Sequence, residues 1–146
     1  MSAPDAEVLH KVRQWLAYAD EDLRLARHGL TMTIAPPPYR LIAYHAQQCA
    51  EKCLKAYLVL QGVDFPYTHN LAHLLDLCST HAPWAERLRD AEELTPFAVT
   101  ARYPGEDEEV TQEETTRALD LAERVRTTVR EAIREMGVAF PAEPSP

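Results

Sequence analysis

Residues 44–58 read YHAQQCAEKCLKAYL. At about 100° per residue, a helix through them gathers Tyr44, His45, Gln48, Glu51, Lys52 and Lys55 on one arc, opposite Ala46, Cys49, Cys53 and Leu60. Ammonium, imidazole and amide groups converging from one face supply several donors to a phosphate or a base edge. The chain has only three lysines, and two of them stand on this arc. The competing reading is a solvated face on which Glu51 and Lys55 form an i,i+4 pair contributing about 0.2 to 0.5 kcal/mol. Leu58 and Val59 prolong the arc with apolar side chains, which fits a neighbouring helix or a second subunit covering that end.

A second cationic feature is the corner ARYPGEDEEV at residues 101–110. Tyr103 and Pro104 restrict the backbone from which Arg102 projects. A guanidinium binds phosphate in bidentate fashion and a tyrosine stacks on a base, so the pair suits a nucleotide. The alternative has Arg102 tying the loop to carbonyls or to Glu51, with Tyr103 plugging the end of a bundle. Arg40 precedes His45 by five positions, a pairing capable of acid/base chemistry on RNA with charge stabilisation. His69, His73, Cys78 and His81 superficially resemble metal ligands, but no second cluster completes a coordination set and no metal site is assigned. No serine, cysteine or carboxylate grouping has the order of a nucleophilic triad.

These residues need elements to position them. Val8, Val12, Trp15, Leu16, Ala19, Leu23, Ala26 and Leu30 step by threes and fours, which predicts a long amphipathic helix ending near Gly29. The prolines of TIAPPPYR break it. A second helix is expected from about Pro38 to Gln61, with Gly62 as its C-terminal cap. Thr68 or Asn70 then caps a short helix carrying Leu71, Leu74, Leu75 and Cys78, and Pro83 opens another short one through Leu94. Thr111 and Glu114 form a capping box ahead of a last long helix with Ala118, Leu121, Ala122, Val125, Val129, Ala132, Ile133 and Met136 on its apolar face. No segment alternates with period two. The expected fold is an all-α, up-and-down helical bundle with three long helices and one or two short ones. Its boundaries are a flexible N-terminus at 1–5, one domain at 6–136 and a mobile tail at 137–146.

Composition narrows the function. With 146 residues, 46% of them hydrophobic, the chain is sized for one core. Four glycines and the lack of a G-x-x-x-x-G-K string exclude a glycine-rich phosphate loop. The net charge of -8 works against loose attraction to nucleic-acid backbones or anionic membranes, so any phosphate contact is local. The N-terminus lacks a signal-peptide pattern, no long apolar run offers a membrane span, and Cys49, Cys53 and Cys78 form no disulfide framework. A cytoplasmic protein with small core cysteines is expected.

Taken together, AYHAQQCAEKCLKAYLVLQG, THNLAHLLDLC and ARYPGE, in this order and at these separations, closely resemble the HEPN domain family, from Trp15 to about Ile133. The resemblance implies a small helical bundle, usually dimeric and associated with nucleotides. Many members look like partners of a separately encoded minimal nucleotidyltransferase, and some are metal-independent ribonuclease toxins. Its polar positions fall on Gln48, Glu51, Lys52, Lys55, His69, Arg102 and Tyr103. The toxin-type motif places a histidine four to six positions after its arginine. No histidine follows Arg102, and although Arg40 and His45 have the spacing, Gln47 stands where a tyrosine is expected.

The leading expectation is therefore recognition without catalysis: a homodimer binding a nucleotide, RNA or a nucleotidyltransferase partner through Gln48, Lys52, Lys55, His69, Arg102 and Tyr103. No cofactor is implied beyond such a nucleotide ligand, and no membrane. The alternatives are a ribonuclease of a toxin-antitoxin pair using Arg40 and His45, and a ligand-free helical adaptor.

Overall fold

The computed structural model describes residues 4–33, 35–99 and 109–140. Among them the chain is all helical: α1 Ala6–Gly29, α2 Tyr39–Leu60, α3 Leu71–Ser79, a 3-10 helix Pro83–Ala98 and α4 Gln112–Glu135. The expected three long helices are α1, α2 and α4. None of the described helices is long and apolar enough to cross a membrane.

The helix ends follow local chemistry. The Asp5 carboxylate accepts from the Val8 amide at 2.9 Å at the start of α1. Asn70 does the same for His73 at 3.2 Å in front of α3. The Thr111 hydroxyl accepts from the Glu114 amide at 3.0 Å while the Glu114 carboxylate accepts from the Thr111 amide at 3.2 Å, which completes the expected capping box of α4. Gly62 ends α2 with φ +70°, and the Val63 amide then reaches back to the Leu58 carbonyl at 2.9 Å. That six-to-one bond requires a left-handed residue at position 62, where a side chain would be strained.

One element departs from expectation. The segment opened by Pro83 was expected to be a short helix through Leu94; it runs to Ala98 and winds with three residues per turn. Four of its five buried residues fit that winding, since Ala85, Leu88, Ala91 and Leu94 recur at intervals of three and line up along one side of a 3-10 helix.

α2 occupies the centre and packs on each of the other helices. Leu54 and Leu58 of α2, Leu23 of α1, Leu71, Leu74 and Leu75 of α3, Leu94 of the 3-10 helix and Val125, Val129 and Ile133 of α4 are fully buried together. Each large aliphatic residue contributes about 1.5 to 3 kcal/mol by leaving water. Leu58 thus belongs to this chain's own core, and its apolar character gives no argument for a second subunit. Three residues past α4 make contacts with the bundle. Val138 is buried, Arg13 donates to the Ala139 carbonyl at 3.2 Å, and the guanidinium of Arg130 lies 4.5 Å from the Phe140 ring centre. Residues 141–146 lie outside the described residues.

Candidate functional site

The central position of α2 changes the meaning of its polar arc. Much of the arc is covered by α1 and by the loop at 61–70. Gln47, Gln48, Glu51 and Lys55 are all buried, which corrects the solvated-face reading. The Glu51–Lys55 pair does form, at 3.0 Å, but inside the molecule with side chains only 4% and 5% exposed.

Two carboxylates organise this seam. Asp22 of α1 accepts from Lys52 Nζ at 2.6 Å and from His45 Nδ1 at 2.7 Å. Glu51 of α2 accepts from Lys55 Nζ at 3.0 Å on one oxygen, and from Gln47 Nε2 at 3.0 Å and His69 Nδ1 at 2.7 Å on the other. Gln47 in turn donates to the His69 carbonyl at 3.3 Å and accepts from Gln48 Nε2 at 2.6 Å. A carboxylate only accepts, so each imidazole carries its proton on Nδ1 and, when neutral, offers Nε2 as an acceptor. The two histidines are partly exposed, His45 at 26% and His69 at 44% of the side chain.

Burial on its own would raise the Glu51 pKa. The hydrogen bonds from Gln47, His69 and Lys55 outweigh it and hold the group below the ordinary glutamate value, so it stays ionised. Three aromatic rings close over Lys55, whose Nζ lies 5.6 Å from the centre of Trp15, 5.7 Å from Phe65 and 5.8 Å from Tyr67. At these distances each ring face attracts the ammonium.

Among the residues named from sequence, the structure brings Gln48, Glu51, Lys52, Lys55 and His69 together in one seam. Lys55 is buried behind Glu51 and so holds the network, whereas Lys52 and His69 keep exposed atoms. Arg102 and Tyr103 lie outside the described residues. Arg40 is exposed in the first turn of α2, and His45 sits on Asp22. Of the residues weighed as metal ligands, His69 is engaged by Glu51 and Cys78 is buried, its thiol pushed up to about 12 by burial. The hydrogen bond that the Cys49 thiol donates to Cys53, followed by burial, raises this thiol as well, so neither supplies a thiolate nucleophile at neutral pH. No group of three metal-ligating side chains occurs among the described residues.

Sequence reasoning missed Asp22, Gln47 and the rings around Lys55. Asp22 had a signal, because it fills a step of the ladder Ala19, Leu23, Ala26 on the buried face of α1, where an unpaired carboxylate would be costly. The rings had none, since Trp15 lies far along the chain from Phe65 and Tyr67 and no local spacing joins them to Lys55.

The fold and site define a small helical bundle whose central helix carries an internal network of histidine, lysine, glutamine and carboxylate groups. The HEPN domain family matches residues 12–132. The chain is 30% identical over 132 residues to the protein named "Putative toxin MJ1304" of Methanocaldococcus jannaschii, covering 80% of this chain and 84% of that one. The crystal structure of TT1696 from Thermus thermophilus is similar with a TM-score of 0.65 and 29% identity, covering 83% of this chain and 97% of the other. That of ST0689, an archaeal HEPN homologue, has a TM-score of 0.67 and 27% identity, with coverages of 84% and 97%. The chain belongs to the HEPN domain family.

Proposed function

We propose that this HEPN protein recognises a nucleotide or RNA along the seam between α1 and α2, as a homodimer and as the partner of a separately encoded minimal nucleotidyltransferase. One observation carries the reading: His45 and His69 are each anchored through Nδ1 on a buried carboxylate, which leaves a fixed Nε2 edge for a ligand. Lys52 shares Asp22 with His45, so an ammonium stands beside that edge. The ammonium donates to a phosphate, and a neutral imidazole Nε2 accepts from an N–H on a base edge. His69 and Lys52 meet the ligand, Gln48 and Lys55 brace the network behind them, and Arg102 and Tyr103 add a bidentate phosphate contact and a stacked ring.

Calorimetry with nucleoside triphosphates and a short single-stranded RNA at low salt, with and without the nucleotidyltransferase, tests this. Lys52→Ala is expected to weaken binding about tenfold, the scale of one charge-assisted hydrogen bond. Absence of heat from every ligand in both settings sinks the reading. If Lys52→Glu instead splits the dimer on size exclusion, the seam is an adaptor interface.

A ribonuclease reading is favoured by a separate observation, the Asp22–His45 pair, which has the geometry of a carboxylate-oriented base. The name of the M. jannaschii relative agrees with it. Here Arg40 stabilises charge and His45 moves the proton. Growth arrest on expression, relieved by His45→Ala, supports it; a wild type as harmless as the variant removes it.

A further inference from the structure

We infer that the loop between α2 and α3 carries a nucleobase-stacking position built on Tyr67, with the His69 edge beside it for the base edge of the same nucleotide. The inference rests on the nucleotide reading above and adds a residue and a ligand chemistry to it.

Loop 61–70 is restrained on both sides of Tyr67. Behind it, His69 is fixed twice, by its ring on Glu51 and by its carbonyl on Gln47. Ahead of it, Phe65 packs half-buried against the core, and Pro66 biases that residue toward extended backbone. The Lys55 ammonium lies over both the Phe65 and Tyr67 rings, so one face of Tyr67 is turned to a buried cation.

Yet Tyr67 is 92% exposed, the most exposed large hydrophobic side chain of the described residues. Isolated surface rings are ordinary, but this one is held on a braced loop beside a second partly exposed ring. The Tyr67 and His69 centroids lie 5.6 Å apart at 71°, edge to face. With the residue 92% exposed, most of the ring surface is open to solvent. A flat π-system is a natural occupant of an uncovered aromatic face, and nucleobases stack there with little dependence on sequence. The nearby His69 Nε2, an acceptor when the ring is neutral, favours a ligand that carries a hydrogen-bond donor beside such a face over an apolar one. A nucleotide, free or as an unpaired RNA residue, has both parts.

Fluorescence anisotropy with a labelled short oligouridylate, the same backbone lacking its bases, and UTP as competitor tests the idea on the full chain. Tyr67→Ala should weaken oligouridylate binding about five- to a hundredfold, the range for loss of one stacked base, while Tyr67→Phe stays within about twofold of wild type. Binding of the base-free backbone should not respond to either change. Weakened competition by UTP in Tyr67→Ala assigns the site to free nucleotides as well, and unchanged UTP competition assigns it to RNA; both support stacking. Unchanged oligouridylate binding in Tyr67→Ala, alongside weakened binding in Lys52→Ala, overturns the stacking position and leaves the nucleotide reading intact. Failure of the wild type to bind any of these probes overturns both. A dimer that dissociates in Tyr67→Ala gives the ring to a subunit contact and also overturns the proposal. Because Tyr67 is almost wholly exposed, the variants are expected to fold, which far-ultraviolet circular dichroism checks.

Discussion

Removal of the Glu51 carboxylate strands three donors at once: Lys55 Nζ, Gln47 Nε2 and His69 Nδ1. Lys55 suffers most, because its ammonium is buried and the aromatic rings around it cannot replace a full counter-charge. Glu51→Ala is therefore expected to cost about 3 to 5 kcal/mol in urea denaturation, the range for breaking a buried ion pair from one side. Glu51→Gln keeps an acceptor and costs less. The same hydrogen bonds set a pH dependence. They hold the folded-state pKa below the ordinary 4.5 although burial pushes the other way, so as pH falls the unfolded chain takes up this proton first. The contribution of Glu51 is complete above that ordinary value and is lost as pH drops through the folded-state one. Below pH 4.5 the stability of the wild type should fall more steeply than that of Glu51→Gln; parallel curves would place the acid sensitivity elsewhere.

At the scale of elements, the closest constraint lies where α1 ends against α2. A Cβ on Gly29 would stand 2.8 Å from Ile42 Cγ1, and both residues are buried. Overpacking of this kind costs about 1 to 3 kcal/mol. The helix-propensity gain of alanine, under about 1 kcal/mol at a helix terminus, does not offset it. Gly29→Ala should thus be destabilising in urea melts, and much less so in an Ile42→Ala background where the clash is gone. Several elements were legible because they announce an end locally: Gly62, Asn70 and the Thr111–Glu114 box are read within four residues. The 3-10 winding of Pro83–Ala98 was visible only as a spacing of three, which is also compatible with part of an α-helical face. The site was half legible. A helical wheel groups Gln48, Glu51, Lys52 and Lys55 correctly, because that grouping is set by α2 alone. What covers the arc depends on Asp22 and on Phe65, Tyr67 and His69, brought there by packing across the chain, and no local spacing encodes it. The wheel therefore suggested water where the structure has α1 and a loop.

The whole molecule sets how strongly this seam can draw a polyanion. The net charge is -8, and the two lysines of the seam are already matched by Asp22 and Glu51, so the described part of the site has no large excess of positive charge. On the proposed reading, recognition rests on fixed edges and stacking more than on a basic surface, in contrast to proteins that release many counterions from a phosphate backbone. The salt dependence of RNA binding measures the difference. For single strands the slope of log K against log salt is about -0.7 per neutralised phosphate, so two contacts, from Lys52 and Arg102, give a slope of about -1.4. Anisotropy titrations between low and moderate salt should return a value near that. Lys52→Ala should make it shallower by about one contact, whereas Tyr67→Ala should lower affinity at every salt concentration without altering the slope. A slope steeper than about -4 would mean that a broad basic surface, assembled by a partner or a second subunit, carries the binding, and the seam would lose its place as the recognition site.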